Sequence, residues 1–181
     1  MRITRYALPL IGLFCVSLWA AQSPPSPEAA AKNVNPFARF FGEWTLKNDD
    51  WTQNWGSATE RIKIPHHHTL IKPINTNLSV LSIVDTPPQG HIFWTYNPVK
   101  KEVRHLSSFG DLRIGVGQGT LSDAGDLHLK VSFQDEAPGT YRVYTYIWQS
   151  DDEYELKSVQ FDEHDKPTGL FYGGTFKRLR H

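Results

Sequence analysis

The chain has 181 residues, with 19 Lys+Arg balanced against 19 Asp+Glu and a single cysteine. That length suits one domain of ordinary size, and one thiol excludes an internal disulfide framework. Positive and negative residues are interspersed and form no basic stripe, which excludes a nucleic-acid partner.

Met1-Arg2-Ile3-Thr4-Arg5 carries two positive charges. Ala7 to Ala21 is then nearly all apolar, and Ala20-Ala21-Gln22-Ser23 offers small residues for cleavage. This is the pattern of a secretory signal peptide over residues 1–21. The apolar stretch is short for a membrane span and contains Pro9, so no span is expected in the mature chain. The protein is expected to be exported, to the periplasm or the extracellular space. Loss of the leader removes Cys15, Arg2 and Arg5, leaving 17 basic against 19 acidic residues and no thiol. Stability must then come from the core. Residues 22–35, around Ser23-Pro24-Pro25-Ser26-Pro27, are too rich in Pro, Ala and Ser to bury a core and read as a linker. The domain is placed at 36–181.

Asn35-Pro36-Phe37-Ala38-Arg39-Phe40-Phe41-Gly42 predicts one short helical turn, with Asn35 as cap, Pro36 in the first turn and Gly42 as stop. From Glu43 onward β-branched and aromatic residues alternate with polar ones. The predicted strands are 43–48, 58–64, 68–75, 78–85, 91–96, 102–109, 112–121, 126–133, 140–148, 153–161 and 169–178. No strand is placed in 49–57. The links, such as Ser122-Asp123-Ala124-Gly125 and Gln149-Ser150-Asp151-Asp152, carry hairpin chemistry. Short connections without crossover helices predict an all-β fold: an antiparallel up-and-down β-barrel of about ten strands with a short N-terminal helical turn. Closure removes exposed edges.

Parity assigns faces. Leu127, Leu129, Val131 and Phe133 share one side of their strand, opposite His128, Lys130 and Ser132. Gly42-Glu43-Trp44 on the first strand and Arg178 on the last suit closure of the barrel base: the Trp44 ring fills the floor and the Arg178 guanidinium covers its face. Arg142, Tyr144, Tyr146 and Trp148 share a face. Pointing inward they would make a polar-aromatic wall able to hold a carboxylate or phenolic ligand; pointing outward, they would leave Tyr141, Val143, Thr145 and Ile147 in the core. Trp94 and Tyr96 pose the same choice beside Ile92. The inward arrangement is the one expected. Gly115, Gly117, Gly119, Gly173 and Gly174 lie in strands and are read as bulges, with open space in the lumen as the alternative.

With these residues in place the chain resembles the calycin superfamily (lipocalins and fatty-acid-binding proteins), and within it a family of secreted bacterial lipocalin-like domains of unknown function. The resemblance is carried by Phe41-Gly42-Glu43-Trp44, Trp94-Thr95-Tyr96-Asn97-Pro98, Gly119-Thr120-Leu121, the hairpin from Trp148 to Tyr154 and Gly174-Thr175-Phe176-Lys177-Arg178. It implies a barrel with an apolar-to-amphipathic cavity. The nitrobindin-like haem barrels are a more distant likeness. They place a histidine on a late strand, whereas this chain has Tyr172-Gly173-Gly174 there and no histidine until His181.

The expected function is binding of a small hydrophobic or amphipathic ligand in the lumen, by Trp94, Tyr96, His105, Arg142, Tyr144, Tyr146, Gln160 and Tyr172. The alternatives are an enzyme on the same barrel acting on an apolar substrate, and a filled-core interaction domain. No cofactor is expected; haem or a metal ion is the alternative. His66 and His68 point the same way on an extended chain and could share a metal with His91 or His105; equally, they form a solvated strand end after Pro65. His105 with Glu60 or Asp111 would be an acid–base pair, or His105 is simply hydrogen-bonded. No nucleophile elbow or phosphate-cradling loop is present, and no catalytic residue is assigned.

Overall fold

The computed structural model describes residues 35–74 and 77–180. The expected leader and nearly all of the expected linker lie outside the described residues. Asn35 belongs to the fold: it is buried, its side-chain amide donates to the Ser79 carbonyl at 3.2 Å, and its Oδ1 accepts the Phe37 N–H at 2.9 Å. That second bond leads into a single 3₁₀ turn, Ala38–Phe40.

Among the described residues, twelve strand segments follow in chain order. They are β1 (Gly42–Leu46), β2 (Asp50–Asn54), β3 (Thr59–Lys63), β4 (Thr69–Pro73), β5 (Ser79–Val84), β6 (Gly90–Asn97), β7 (Glu102–Phe109), β8 (Arg113–Leu121), β9 (Leu127–Phe133), β10 (Tyr141–Ser150), β11 (Glu153–Phe161) and β12 (Pro167–Arg178). From β4 to β12 each pairs antiparallel with the next; β1 lies between β4 and β12, and β2 pairs with β12 and β3. β2 and β3 prolong β1 and β4 in one register, Trp44 facing Thr69 and Asp50 facing Lys63. The result is a closed, antiparallel, up-and-down barrel of ten strands, two of them broken. Closure leaves few edges to protect.

The segment 49–57, expected to be a connection, contains β2. Its Asn and Asp residues do make a turn, but the turn is a bulge inside a continuing strand. Leu46 faces Phe176 and Thr52 faces Gly173, so β12 advances three residues where β1 and β2 advance six. The excess is absorbed by a 3₁₀ turn at Lys47–Asp49, where Asn48 and Asp49 adopt positive φ. Such a bulge bends the wall without ending the pairing. The strand glycines behave in the opposite way. Gly115, Gly117 and Gly119 sit in uninterrupted ladders with β7 and β9, so they are not bulges. A Cβ on Gly119 would lie 1.8 Å from the His128 carbonyl oxygen. Glycine is needed there because β9 crosses too closely for any side chain.

Side chains alternate across the wall as a half-buried pleat requires. On β9 the Leu127, Leu129, Val131 and Phe133 side chains are buried and those between them exposed. The inward rows meet at one end in an aromatic floor. Phe40, from the turn that plugs this end, packs on Trp94 at 5.5 Å and on Trp148 at 4.8 Å between ring centroids. Trp44 packs edge-on to Tyr154 at 4.8 Å, and its indole N–H donates to the Phe40 carbonyl at 2.8 Å. Arg178 lies over the Trp44 ring at 4.3 Å and donates to the carbonyls of Phe41 and Arg39. Gly42, at φ 125°, lets the chain turn beneath that guanidinium: a Cβ there would stand 2.9 Å from Arg178 Nη1. Plug, floor and cover therefore tie the first and last strands together.

Candidate functional site

Above the floor the lumen is open. A cavity of about 690 Å³ runs from the floor to the far end of the barrel, within the roughly 300–1,000 Å³ usual for small-molecule sites. Its lower part is bounded by Trp94, Tyr146, Tyr154 and Phe176, and Trp51 and Trp55 stand on β2 and just beyond it. The mouth is edged by Pro87 and Pro88 from the β5–β6 loop, Phe109 at the end of β7 and Arg113 at the start of β8.

Four inward residues on β10, Arg142, Tyr144, Tyr146 and Trp148, descend from mouth to floor. The first three are buried, so this face of β10 points into the barrel. Across the ladder, Arg142 faces Gln160 and Tyr144 faces Ser158, which in turn faces Tyr172. The Tyr144 and Tyr172 hydroxyls are hydrogen-bonded to each other above Ser158. Burial pushes the Tyr144 and Tyr146 phenols far up, so both stay neutral.

On the opposing wall, β6 and β7 place Trp94 beside His105, and His105 two residues from Ser107. The Trp94 indole N–H, which can only donate, bonds to His105 Nδ1 at 3.0 Å. The imidazole proton must then sit on Nε2, which lies 2.9 Å from Ser107 Oγ and donates to it. Desolvation holds the His105 pKa down at about 4, in accord with a neutral ring between those partners.

Charge is confined to the mouth. Arg113 donates from Nη1 to Asp135 at 2.7 Å and from Nη2 to Glu136 Oε1 at 2.9 Å. Arg142, 1% exposed, donates through Nε to the same Glu136 oxygen at 2.6 Å. Burial pushes the Glu136 carboxyl up, but the hydrogen bonds from Arg142 and Arg113 outweigh it and the group is held below its usual range. The Arg142 guanidinium also lies 5.0 Å from the Tyr172 ring centroid and 5.3 Å from that of Trp55. Two cations are therefore matched by two carboxylates.

Of the residues singled out by sequence, Trp94, His105, Tyr144, Tyr146 and Tyr172 line the cavity together. Three stand elsewhere. Tyr96 packs into the core near the base, where β6 ends. Arg142 is occupied by Glu136, and Gln160 Oε1 accepts from the Thr168 hydroxyl at 2.8 Å. His105 pairs with neither Glu60, which meets Gln53, nor Asp111, because it faces the lumen. The histidine run splits. His66 is exposed at positive φ, and His68 bridges Asp85 at 2.9 Å and Glu43 at 3.1 Å. Hydrogen bonds to those two carboxylates raise the His68 pKa. His67 instead turns toward the lumen, its ring edge on Phe176 at 5.2 Å, and desolvation lowers its pKa to about 4. No group of three metal-ligating side chains converges among the described residues.

Sequence reading missed Trp51, Trp55, Ser107, Arg113 and Asp135. The period-2 spacing of Trp51, Gln53 and Trp55 was the available signal, masked by Asn and Asp neighbours. Ser107 shares parity with His105. Asp135 and Glu136 come from a loop, 134–140, to which no parity applies.

No protein-family model matches the chain, and no curated protein matches it in sequence. Among solved structures it is similar to a de novo designed fluorescence-activating β-barrel, at 15% identity and TM-score 0.35, covering 81% of this chain and 99% of that one. It is likewise similar to the EF1p2-mFAP2b protein bound to DFHBI, at 11% identity and TM-score 0.36, over 80% of this chain and 99% of the other. A protein of unknown function from the DUF3598 family of Nostoc punctiforme matches at 8% identity and TM-score 0.21, over 80% and 98% of the two chains. No helix among the described residues is long and apolar enough to cross a membrane.

Proposed function

We propose that this chain is an exported lipocalin-like barrel that binds a small hydrophobic or amphipathic molecule in its lumen. The observation that carries the reading is the aromatic cavity of about 690 Å³, closed by the Trp44–Arg178 floor at one end. A filled-core interaction domain would have no such space. Burial of roughly 300 Å² of ligand carbon would contribute about 7 kcal/mol before the costs of association. The polar groups on the walls would orient the ligand. His105 is not set as a base toward Ser107, because the indole N–H of Trp94 occupies Nδ1 and leaves the ring proton on Nε2, facing the hydroxyl. Export rests on the charged and apolar leader.

Three tryptophans, Trp51, Trp55 and Trp94, line the cavity and report on its contents. Titration of the purified protein with fatty acids, haem and phenolic compounds should change its emission for at least one class. Native mass spectrometry of protein from its own host should show a retained small molecule. Unchanged emission across the panel, together with a bare mass, would refute the proposal.

A further inference from the structure

The buried polar groups of the lumen have directions. Trp94 donates to His105 Nδ1, and His105 Nε2–H donates to Ser107 Oγ. Because an indole N–H cannot accept, every bond in this chain runs one way. Its last member, Ser107, accepts a hydrogen bond from His105 and is left with its own O–H to donate. Ser107 is 1% exposed, lines the cavity and stands where Gly115 faces it across the ladder. A Cβ on Gly115 would lie 2.6 Å from Ser107 Oγ and 2.6 Å from the Phe133 ring. The glycine thus keeps open the space beside the hydroxyl. A buried hydroxyl with an ungiven proton calls for an acceptor, since an unmet donor costs free energy.

The rest of the lumen restricts what can carry that acceptor. Its deep walls offer no counter-charge: His67 and His105 are held neutral by desolvation, and so are Tyr144, Tyr146 and Tyr154. Arg113 and Asp135, at the mouth, neutralise each other. A charged group at depth would lose its hydration with nothing in return. The walls are also lined by aromatic rings. Trp51 and Tyr172 stack 24° from parallel at 5.6 Å, and Tyr154 and Phe176 stack 9° from parallel at 5.1 Å. Such surfaces favour a planar aromatic guest.

We propose that the lumen takes a neutral, planar aromatic molecule bearing a carbonyl-type acceptor, seated with that oxygen on the hydroxyl of Ser107. This inference rests on the lumen-binding reading and names its ligand class. The test uses fluorene, which has no acceptor, 9-fluorenone, which adds one carbonyl, and fluorene-9-carboxylate, which adds a charge. Tryptophan quenching should give a Kd for fluorenone about three- to tenfold below that for fluorene. The carboxylate should bind more weakly than either. Ser107→Ala should erase the preference for fluorenone and leave fluorene unchanged. The infrared carbonyl stretch of fluorenone bound to the unmodified protein should lie below its value in dry alkane. That measurement needs no variant. Equal binding of fluorene and fluorenone, or a red-shifted carbonyl that persists in Ser107→Ala, overturns the Ser107 assignment alone. Tightest binding by the carboxylate overturns the neutral class. Exclusion of both neutral compounds overturns this inference and leaves standing the lumen-binding reading, which the panel of fatty acids, haem and phenolic compounds tests.

Discussion

Acidification should destabilise this barrel through His105. In the unfolded chain the imidazole titrates near its ordinary 6.5, whereas in the barrel desolvation holds it near 4. Between those values the unfolded state binds a proton that the folded state refuses, so stability falls as pH drops from 6.5 toward 4 and levels off below. The cost of that window to the folded state is about 3 kcal/mol by proton linkage. His67 has a similarly lowered pKa and adds in the same direction. His105→Gln isolates the first contribution, because an amide can accept from Trp94 and donate to Ser107 without titrating. Urea unfolding followed by tryptophan emission at pH 7, 5.5 and 4 should show a steep loss in the unmodified protein. In His105→Gln the loss between pH 7 and 4 should be smaller by about 3 kcal/mol. Equal losses in the two proteins, or an NMR midpoint for His105 near 6.5, would refute the directional Trp94–His105–Ser107 chain.

His68 has the opposite sign: its pKa is raised, so its contribution is complete below 6.5 and is lost as pH rises through the folded value. NMR titration should place its midpoint above 6.5 and return it toward 6.5 when Glu43→Gln and Asp85→Asn are combined. Glu136→Gln should cost about 3–5 kcal/mol in chemical denaturation by leaving the buried Arg142 without its carboxylate, whereas Asp135→Asn, at the partly exposed mouth, should cost no more than about 1 kcal/mol. Arg178→Lys keeps the charge but loses the planar cover over Trp44 and its paired carbonyl contacts. A loss of about 2 kcal/mol, or roughly 6 °C in Tm by calorimetry, is expected. Gly119→Ala should destabilise by about 3 kcal/mol or prevent folding, because its Cβ would collide with the His128 carbonyl; an unchanged Tm would contradict the close crossing of β8 and β9.

Much of the architecture was legible in the linear pattern, since a pleated strand buries every second residue and short polar links permit only adjacent pairing. Leu127 to Phe133 illustrates this, and so do the two strands whose predicted bounds, 102–109 and 153–161, coincide with β7 and β11. The same pattern brought Trp94, His105, Tyr144, Tyr146 and Tyr172 to one side of the wall. It misled where a turn signal lies within a strand, as at Asn48-Asp49, because a bulge and a hairpin use the same residues and only the pairing partner distinguishes them. It also misled at the strand glycines, whose purpose is the passage of another strand's backbone. Periodicity in the chain prescribes which side chains turn inward, a local consequence of backbone geometry. Which of them touch is settled only in the tertiary structure: pairing of neighbouring strands and the loop between them shield Arg142 behind Glu136 and set the proton of His105 between Trp94 and Ser107, and closure of the ring leaves space above the floor. The side-chain contacts depend on the register of neighbouring strands and on the path of the 134–140 loop, and the cavity depends on closure, none of which a period-2 pattern encodes.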